Sequence, residues 1–331
     1  MTAPRGEFDL IAELLAPLAT DPAALGLTDD AAVVSAGEGD QIIAKDALVE
    51  GVHFLPDDPP ATVAKKALRV NLSDLAAMGA RPEGYLLALV RPPTLSDAWL
   101  EAFVQGLAED QAAFALPLLG GDTVRTPGPL VLSVTILGRA VAGTALLRSG
   151  ARPGDELWVS GTLGDAALGL QVLQGGWRPA DAADTARLID RYRVPRPRLG
   201  LGDALRGVAS ACQDVSDGLV QDVGHIARAS GVGVTLEAAA VPLDLAASGA
   251  PTALTAALTG GDDYELVFTA APAARAAVAT ASRSAAVPVT RIGSVGPGGG
   301  VQVLGTDGTP LTLASRGWTH AWPGDGGADR S

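Results

Sequence analysis

The first half of the chain alternates between helix-like and strand-like spacing of its apolar residues. Residues 7–19 and 61–78 repeat apolar side chains every three or four positions, which predicts two helices. The apolar runs 31–34 and 41–49 flank the polar turn SAGEGD and predict two short strands. This order of elements favours a mixed α/β fold.

The alternation continues to residue 140. The run YLLALV predicts a strand that ends before the Pro92–Pro93 pair. Ser96 is a suitable N-cap for the helical apolar stripe that follows it. The segments 116–123 and 129–140 predict two buried strands around a loop.

A second α/β series follows the Gly- and Pro-containing stretch 143–154. Its predicted elements are strands at ELWVSG, ASACQDVS and GVGVTLE, helices at DAALGLQVLQ and along Leu219, Val223 and Ile226, a connector at RYRVPRPR and a flexible turn at GPGGG. We therefore expect two domains, 1–145 and 146–322, and a disordered tail at 323–331.

The composition is typical of a soluble globular protein, with 47% hydrophobic and 18% charged residues among 331. No apolar run approaches the roughly 20 residues that a bilayer span requires, and the acidic amphipathic N-terminus does not resemble a secretory signal. The single cysteine, Cys212, excludes an internal disulfide and is predicted to be a small buried residue. We therefore expect a cytoplasmic protein.

The net charge of the chain limits the kinds of molecule that it is expected to bind. A net charge of -13 argues against nucleic acid or an anionic membrane, because both attract basic surfaces. The chain contains no Gly-Lys pair, which excludes a P-loop, and no G-x-G-x-x-G between a strand and a helix. A phosphate ligand would therefore depend on metal ions for positive charge.

Aspartates recur at predicted strand ends and turns. They lie in the segments TDDAAVV, KDALVEGVHF, NLSDLAAMGA, GGDTVR, QDVSDGL and GGDDYEL. Because Mg2+ prefers carboxylate oxygens and α/β proteins bind ligands at strand ends, the pattern predicts a nucleotide site with bridging Mg2+. The helix start after Asp217 is expected to add amide donors for phosphate. Any single aspartate could instead cap a turn, and Asp222 is expected on a solvated helix face.

Several of these segments, taken in order, resemble thiamine-monophosphate kinase, a family of aminoimidazole ribonucleotide synthetase-like ATP enzymes. The resemblance runs from about residue 6 to 318 and is carried by GEFDLIAELL, TDDAAVV, KDALVEGVHFLPDDPPATVAKKALRVNLSDLAAMGARP, LGGDTVR, LLRSGARPGD, QDVSDGLVQDVGHIARASG and GGDDYELVFT. It implies a kinase that transfers the ATP γ-phosphoryl group to thiamine monophosphate, giving thiamine diphosphate and ADP, the final step of thiamine diphosphate biosynthesis.

The same resemblance implies an architecture and a set of site residues. The architecture is a two-domain α/β fold of the aminoimidazole ribonucleotide synthetase type, in a homodimer whose N-terminal domains form a shared β-barrel. The implied residues are Mg2+ ligands Asp30, Asp46, Asp74, Asp122, Asp214 and Asp217, ATP contacts Gly121, Asp122, Arg148 and Ser216, and substrate contacts His53, Asp262 and Trp318. No general base is implied, because the acceptor phosphate has a second pKa of about 6 and is already mostly ionised.

Three of these residues could have a purely structural or surface role instead. His53 between two apolar neighbours could be a core histidine, Trp318 could simply cover the core, and Arg148 could be a surface cation. The role proposed for the Trp318 ring is stacking on the cationic thiamine.

Departures from the family pattern leave the number of metal ions open. Thr28 stands before Asp29 and Asp30 where the family commonly has Gly, and Ala44 and Lys45 precede Asp46 where hydroxyl residues are common. Lys45 either replaces the charge of one ion or points away from the metals. Asp262 replaces the Glu of some members, which keeps the charge on a shorter side chain.

Two other functions compete with the kinase that the resemblance implies. The chain could be another enzyme with the same ATP fold, although it lacks the N-terminal reactive cysteine of selenophosphate synthetases and the cysteine-containing tail of hydrogenase-maturation proteins. It could also be a non-catalytic regulator, suggested by Lys45, which would bind ATP without consuming it.

Overall fold

Two β-sheets organise the described part of the chain, and the segment 141–155 connects them. The computed structural model describes residues 11–27, 32, 34–247 and 249–319. Helices pack against both sheets, so the predicted mixed α/β fold is confirmed. None of the helices in these described ranges is both long and apolar enough to cross a bilayer.

The first sheet has four strands in the order β1-β4-β2-β3. They are β1 (Asp40–Val49), β2 (Arg81–Arg91), β3 (Leu118–Arg125) and β4 (Val131–Ala140), and only β2 and β3 pair in parallel. Residues of β4 alternate between fully buried and half-buried along its whole length. One face of this sheet therefore lies on a core, while the other is more open.

Two long helices cover the buried face of the first sheet. They are α1 (Pro60–Ala77) and α2 (Asp97–Phe114), and both were predicted from apolar spacing. Proline at the first position of α1 costs no hydrogen bond there. The Ser96 hydroxyl accepts from Trp99 N at 3.2 Å, which confirms the predicted N-cap of α2.

The second sheet has six strands in the order β10-β7-β9-β5-β8-β6. They are β5 (Glu156–Ser160), β6 (Ala211–Asp214), β7 (Gly233–Glu237), β8 (Leu266–Ala270), β9 (Val289–Gly296) and β10 (Gly300–Leu304). The helices of this half are α3 (Asp165–Leu173), α4 (Ala182–Arg193), α5 (Leu199–Leu205), α6 (Leu219–Ser230), α7 (Ala253–Thr259) and α8 (Arg275–Ala285).

The end of α1 joins the two halves of the molecule. Ala76 and Ala77 pack in one apolar cluster with α5, α8 and strand β8 of the second sheet. A Cβ on Gly202 of α5 would lie 1.9 Å from the Ala76 carbonyl oxygen, so only glycine allows this approach. The helix that carries Asp74 is thus held against both sheets.

Three sequence predictions differ from the structure. The predicted helix at 7–19 is, in its described part, a π-helical turn at Ile11–Leu15 followed by a 3-10 turn at Ala16–Leu18. Ala32 and Val34 of the predicted strand 31–34 are not in a strand, and neither is paired with another strand. The predicted connector RYRVPRPR begins inside α4, because Leu188 and Tyr192 bury one helical face.

Candidate active site

Helix α1 brings together the carboxylates of β1 and β6 through buried polar side chains. Asn71 accepts from the Asp46 backbone N–H at 3.0 Å, which fixes β1 at that residue. The Ser73 hydroxyl donates to Asp214 Oδ2 at 2.7 Å. Asp74 follows on the same helix, so the segment NLSD contacts one strand of each sheet.

The aspartates gathered here raise one another's pKa. Burial is the main cause of the raised pKa of Asp46, Asp74 and Asp214. Repulsion adds to it, from Asp217 on Asp46, and among Asp46, Asp74 and Asp214. Arg148 opposes the rise at Asp74 and Asp214 without cancelling it. Four predicted metal ligands therefore form one acidic cluster, Asp46, Asp74, Asp214 and Asp217, whose charge favours bound cations.

Asp222 is completely buried, so its predicted place on a solvated helix face is wrong. Its Oδ2 accepts from the backbone N–H groups of Ser216, Asp217 and Gly218, each at 3.1 Å. Its Oδ1 accepts from Gln213 Nε2 at 2.9 Å. These three amides of the turn before α6 are therefore occupied by Asp222, and the expected phosphate donors at the start of α6 itself stay a prediction. The buried carboxylate satisfies three N–H groups of the turn that precedes α6.

Burial, with repulsion from Asp214 and Asp217, raises the pKa of Asp222 to about 8, although the backbone amides oppose the rise. His225, one turn later, was missed by the sequence analysis. One ligand atom from each of Asp217, Asp222 and His225 lies within 4.8 Å of the others. Arg228 Nη2 lies 2.7 Å from His225 Nδ1.

A cavity of about 480 Å³ opens beside the acidic cluster. Its wall includes Asp74, Asp214 and the predicted ATP contact Arg148. Most of the other lining residues are apolar, among them Ile42, Ala44, Ala77, Met78 and Cys212. Burial raises the pKa of the Cys212 thiol, and the prediction of a small buried residue is confirmed.

Gly121 and Asp122 lie apart from this cavity. Strand pairing places Asp122 in one row with Ala88 and Ser133, on the sheet face opposite Asp46. Asp122 instead lines a second cavity, of about 680 Å³, together with Lys45. Within one chain, the structure does not bring Asp122 to the other predicted metal ligands.

Lys45 points away from the acidic cluster. It neighbours Asp46 in β1, so its side chain leaves the other face of the strand. Its Nζ lies 3.4 Å from Thr135 Oγ1 on β4. Of the two sequence-based alternatives, the structure thus supports the one in which Lys45 does not replace a metal ion.

Lys66 connects two predicted substrate contacts and was missed by the sequence analysis. Its Nζ lies 2.8 Å from Asp262 Oδ2, 2.9 Å from the His53 carbonyl oxygen and 3.9 Å above the Tyr192 ring centre. Its side chain is only 2% exposed. The His53 ring also has a structural bond, because Nδ1 accepts from Val49 N at 2.9 Å. A lysine within the apolar spacing of α1 is the sequence signal that could have marked this site.

The turn after β6 joins two of the predicted substrate contacts, Asp262 and Trp318, to the acidic cluster. The Ser216 carbonyl oxygen accepts from Asp262 N at 2.9 Å, and the Asp217 carbonyl oxygen accepts from Trp318 N at 2.8 Å. Gln221 Nε2 donates to the Trp318 carbonyl oxygen at 2.8 Å, while 54% of Trp318 is exposed. Asp262 has a φ of +70°, a strained value for a residue other than glycine. Asp30 lies outside the described residues.

The chemistry of the cluster suits Mg2+. Its four members offer hard oxygen ligands, and three of them have a raised pKa that a bound cation would lower again. A hard dication held by carboxylates commonly completes its coordination with phosphate oxygens. The arrangement can therefore bind a metal–nucleotide complex beside the cavity.

Comparisons with known proteins find similarity along nearly the whole chain. Residues 28–140 match the family "AIR synthase related protein, N-terminal domain", and residues 152–305 match its C-terminal domain. Thiamine-monophosphate kinase of Caulobacter vibrioides is 48% identical over 329 residues, covering 96% of this chain and 92% of that protein.

Two solved structures are also similar. Thiamine-monophosphate kinase from Stenotrophomonas maltophilia has 43% identity and a TM-score of 0.82, over 92% of this chain and 98% of that one. The structure of AaThiL complexed with AMPPCP and TMP has 31% identity and a TM-score of 0.76, over 97% of this chain and 100% of that one.

Proposed function

The chain belongs to the thiamine-monophosphate kinase family and is a kinase of thiamine biosynthesis, and we propose that it transfers the ATP γ-phosphoryl group directly to thiamine monophosphate. The products are thiamine diphosphate and ADP, and the reaction is the final step of thiamine diphosphate biosynthesis in the cytoplasm. The observation that carries the proposal is the near full-length similarity to AaThiL complexed with AMPPCP and TMP. We take AMPPCP there as a stand-in for ATP, and TMP as thiamine monophosphate.

The acidic cluster is proposed to hold several Mg2+ ions with the nucleotide. Asp46, Asp74, Asp214 and Asp217 supply the oxygens, and Asp30 and Asp122 are further proposed ligands. Bound Mg2+ would screen the repulsion between the triphosphate and the acceptor phosphate.

The proposed role of the protein side chains is to position the two phosphate groups, and none of them acts as a general base. The acceptor phosphate is mostly dianionic at neutral pH, since its second pKa is about 6, so a general base is not needed. Arg148 lies on the cavity wall with Asp74 and Asp214, where its guanidinium can bind phosphate oxygens. Ser216, with Gly121 and Asp122 of β3, is a further proposed nucleotide contact.

Thiamine monophosphate is proposed to bind next to the turn after β6. Asp262 presents a carboxylate that is held by Lys66 and 31% exposed. The His53 carbonyl oxygen accepts a hydrogen bond from the same ammonium group. The exposed Trp318 ring, whose backbone is bonded to Asp217, can stack on the cationic rings of thiamine.

The open face of the first sheet is proposed as the homodimer interface, where two sheets form a shared barrel. Ile43, Leu86 and Val124 lie on this face and are 63%, 37% and 43% exposed. Asp122 lies on the same face, so its proposed role as a metal ligand depends on the dimer. Ile43→Arg should give a monomer in size-exclusion chromatography with light scattering, whereas Leu245→Arg, outside this face, should not.

A product assay tests the function. Purified protein is incubated with ATP, Mg2+ and thiamine monophosphate, and products are identified by mass. We expect equal amounts of ADP and thiamine diphosphate. ADP without thiamine diphosphate would indicate another enzyme with this ATP fold, and ATP binding without turnover would indicate the non-catalytic regulator.

A further inference from the structure

The turn between β6 and α6 needs a buried acceptor to keep its shape. Three consecutive backbone N–H groups, of Ser216, Asp217 and Gly218, converge on one point, which Asp222 Oδ2 occupies. Gly218 has a φ of +127°, and a Cβ there would lie 3.0 Å from the Thr259 backbone. The turn is therefore an unusual backbone shape, held from its concave side by one carboxylate oxygen.

This turn carries contacts to several parts of the site. Asp217 is a member of the acidic cluster, and its carbonyl oxygen accepts from Trp318 N. The Ser216 carbonyl oxygen accepts from Asp262 N. A shift of the turn would therefore move a metal ligand and two proposed substrate contacts together.

Asp222 is poorly placed to act on a ligand directly. Oδ2 already accepts three amide hydrogen bonds, and Oδ1 accepts one from Gln213 Nε2. The residue is completely buried. Its partner Gln213 precedes Asp214 in β6, so the one carboxylate links the strand end, the turn and the helix start.

We propose that Asp222 is a positioning residue for phosphoryl transfer, which holds the 216–218 turn so that Asp217 meets the metal ions beside Asp214. The proposal rests on the proposed function, because Asp217 acts here as a metal ligand. The turn is held by the location of Asp222 Oδ2, the hydrogen-bond acceptor, and not by the negative charge of Asp222.

Two substitutions separate location from charge. Asp222→Asn keeps an oxygen at the same place without the charge. The Gln213 amide can rotate to donate no longer and accept instead, since its Oε1 has no hydrogen-bond partner among the described residues. Asp222→Glu keeps the charge but displaces the oxygens by one methylene. Asp155→Glu is the matched control, because Asp155 is also buried and accepts a turn amide, from Arg152 N at 2.9 Å.

The experiment measures metal binding apart from turnover. Mn2+ is titrated against full-length protein with AMPPCP, and free Mn2+ is read by electron paramagnetic resonance. Rates of thiamine diphosphate formation are measured against Mg2+ concentration. We expect Asp222→Glu to raise both half-saturation concentrations at least fivefold with unchanged Mn2+ stoichiometry. Asp222→Asn and Asp155→Glu should stay within threefold of wild type.

Three results would overturn the proposal. They are wild-type metal binding in Asp222→Glu, a loss in Asp222→Asn as large as in Asp222→Glu, or the loss of one bound Mn2+ in Asp222→Asn, which would make Asp222 a ligand. If the wild type forms no thiamine diphosphate but the Mn2+ titrations follow the expected pattern, the proposed function fails while the positioning of the turn stands.

Discussion

Buried carboxylates occur in two regions of this molecule with opposite surroundings. In the acidic cluster, burial and then repulsion from neighbouring carboxylates raise the pKa of Asp46, Asp74 and Asp214, and Arg148 opposes the rise at Asp74 and Asp214 only in part. In the second region Glu265 is completely buried, whereas Asp46 and Asp74 are partly exposed, and Arg191 Nη2 lies 2.9 Å and Arg198 Nε 2.7 Å from the Glu265 oxygens. The Ser160 hydroxyl also donates to it.

The difference separates a structural charge from a functional one. Glu265 has its cations within the chain, so its ion pairs can only contribute to the fold. The acidic cluster has a shortage of cations within the described residues, which costs stability until something positive binds. Functional sites are commonly the places where such a cost is retained.

The largest expected effect is on turnover in the acidic cluster. Asp214→Asn and Asp217→Asn each remove the charge of one proposed metal ligand, and we expect kcat to fall at least about 100-fold, a size typical of losing an electrostatic contact to the transition state. Circular dichroism should show an intact fold. Wild-type rates in both variants would refute the assigned role and, with it, the contrast between the two regions.

Next in size is the loss of stability at the paired carboxylate. Glu265→Gln removes the counter-charge of the partly exposed Arg198 and leaves the buried Arg191 with Asp165, whose Oδ2 is 3.8 Å from Arg191 Nε. Breaking a buried pair costs about 3–5 kcal/mol. Urea unfolding should show this fall in the free energy of unfolding. A change below about 1 kcal/mol would mean that the ion pairs around Glu265 do not stabilise the fold.

The third prediction concerns pH and the metal-free protein. A carboxyl whose folded pKa is raised contributes stability below its unfolded pKa of about 4, and that contribution is lost as pH rises toward the folded pKa. Asp74 and Asp214 are raised in this way, and Asp222 to about 8. We therefore expect the free energy of unfolding without Mg2+ to fall from pH 5 to 8.

Asp74→Asn should weaken this pH dependence and raise the melting temperature at pH 8 by a few degrees, because it removes one repelled charge. Mg2+ with AMPPCP should flatten the pH profile of the wild type in the same thermal scans. A melting temperature that rises between pH 5 and 8 without metal would contradict the account of uncompensated charge.

The smallest effect is expected at an exposed pair that resembles neither region. Asp190 and Arg196 lie 3.4 Å apart and are about half exposed. Because water screens such a pair, Asp190→Asn should change the free energy of unfolding by less than about 1 kcal/mol. Urea unfolding of Asp190→Asn and Glu265→Gln side by side compares the two losses in free energy of unfolding. Equal losses would show that burial does not determine how much an ion pair contributes.

The sequence by itself determined the long periodic elements and the chemical type of the site. Helices α1, α2 and α6 follow from apolar spacing, and the Ser96 cap from local chemistry. The short strands β8, β9 and β10 were not predicted, because brief apolar runs acquire strand structure only through their neighbours in the sheet.

Only the tertiary structure decided which polar residues are buried, and against what. The spacing of α6 does not reveal that Asp222 accepts three amides of the preceding turn, nor does α1 reveal that Lys66 meets Asp262, 196 positions later. Likewise, the register of the strands, and not the segment GGDT, places Asp122 on the face of the sheet that points away from Asp46. The physical reason is that periodicity records which side of its own element a residue occupies, whereas the partner that makes burial of a charge tolerable comes from a distant part of the chain.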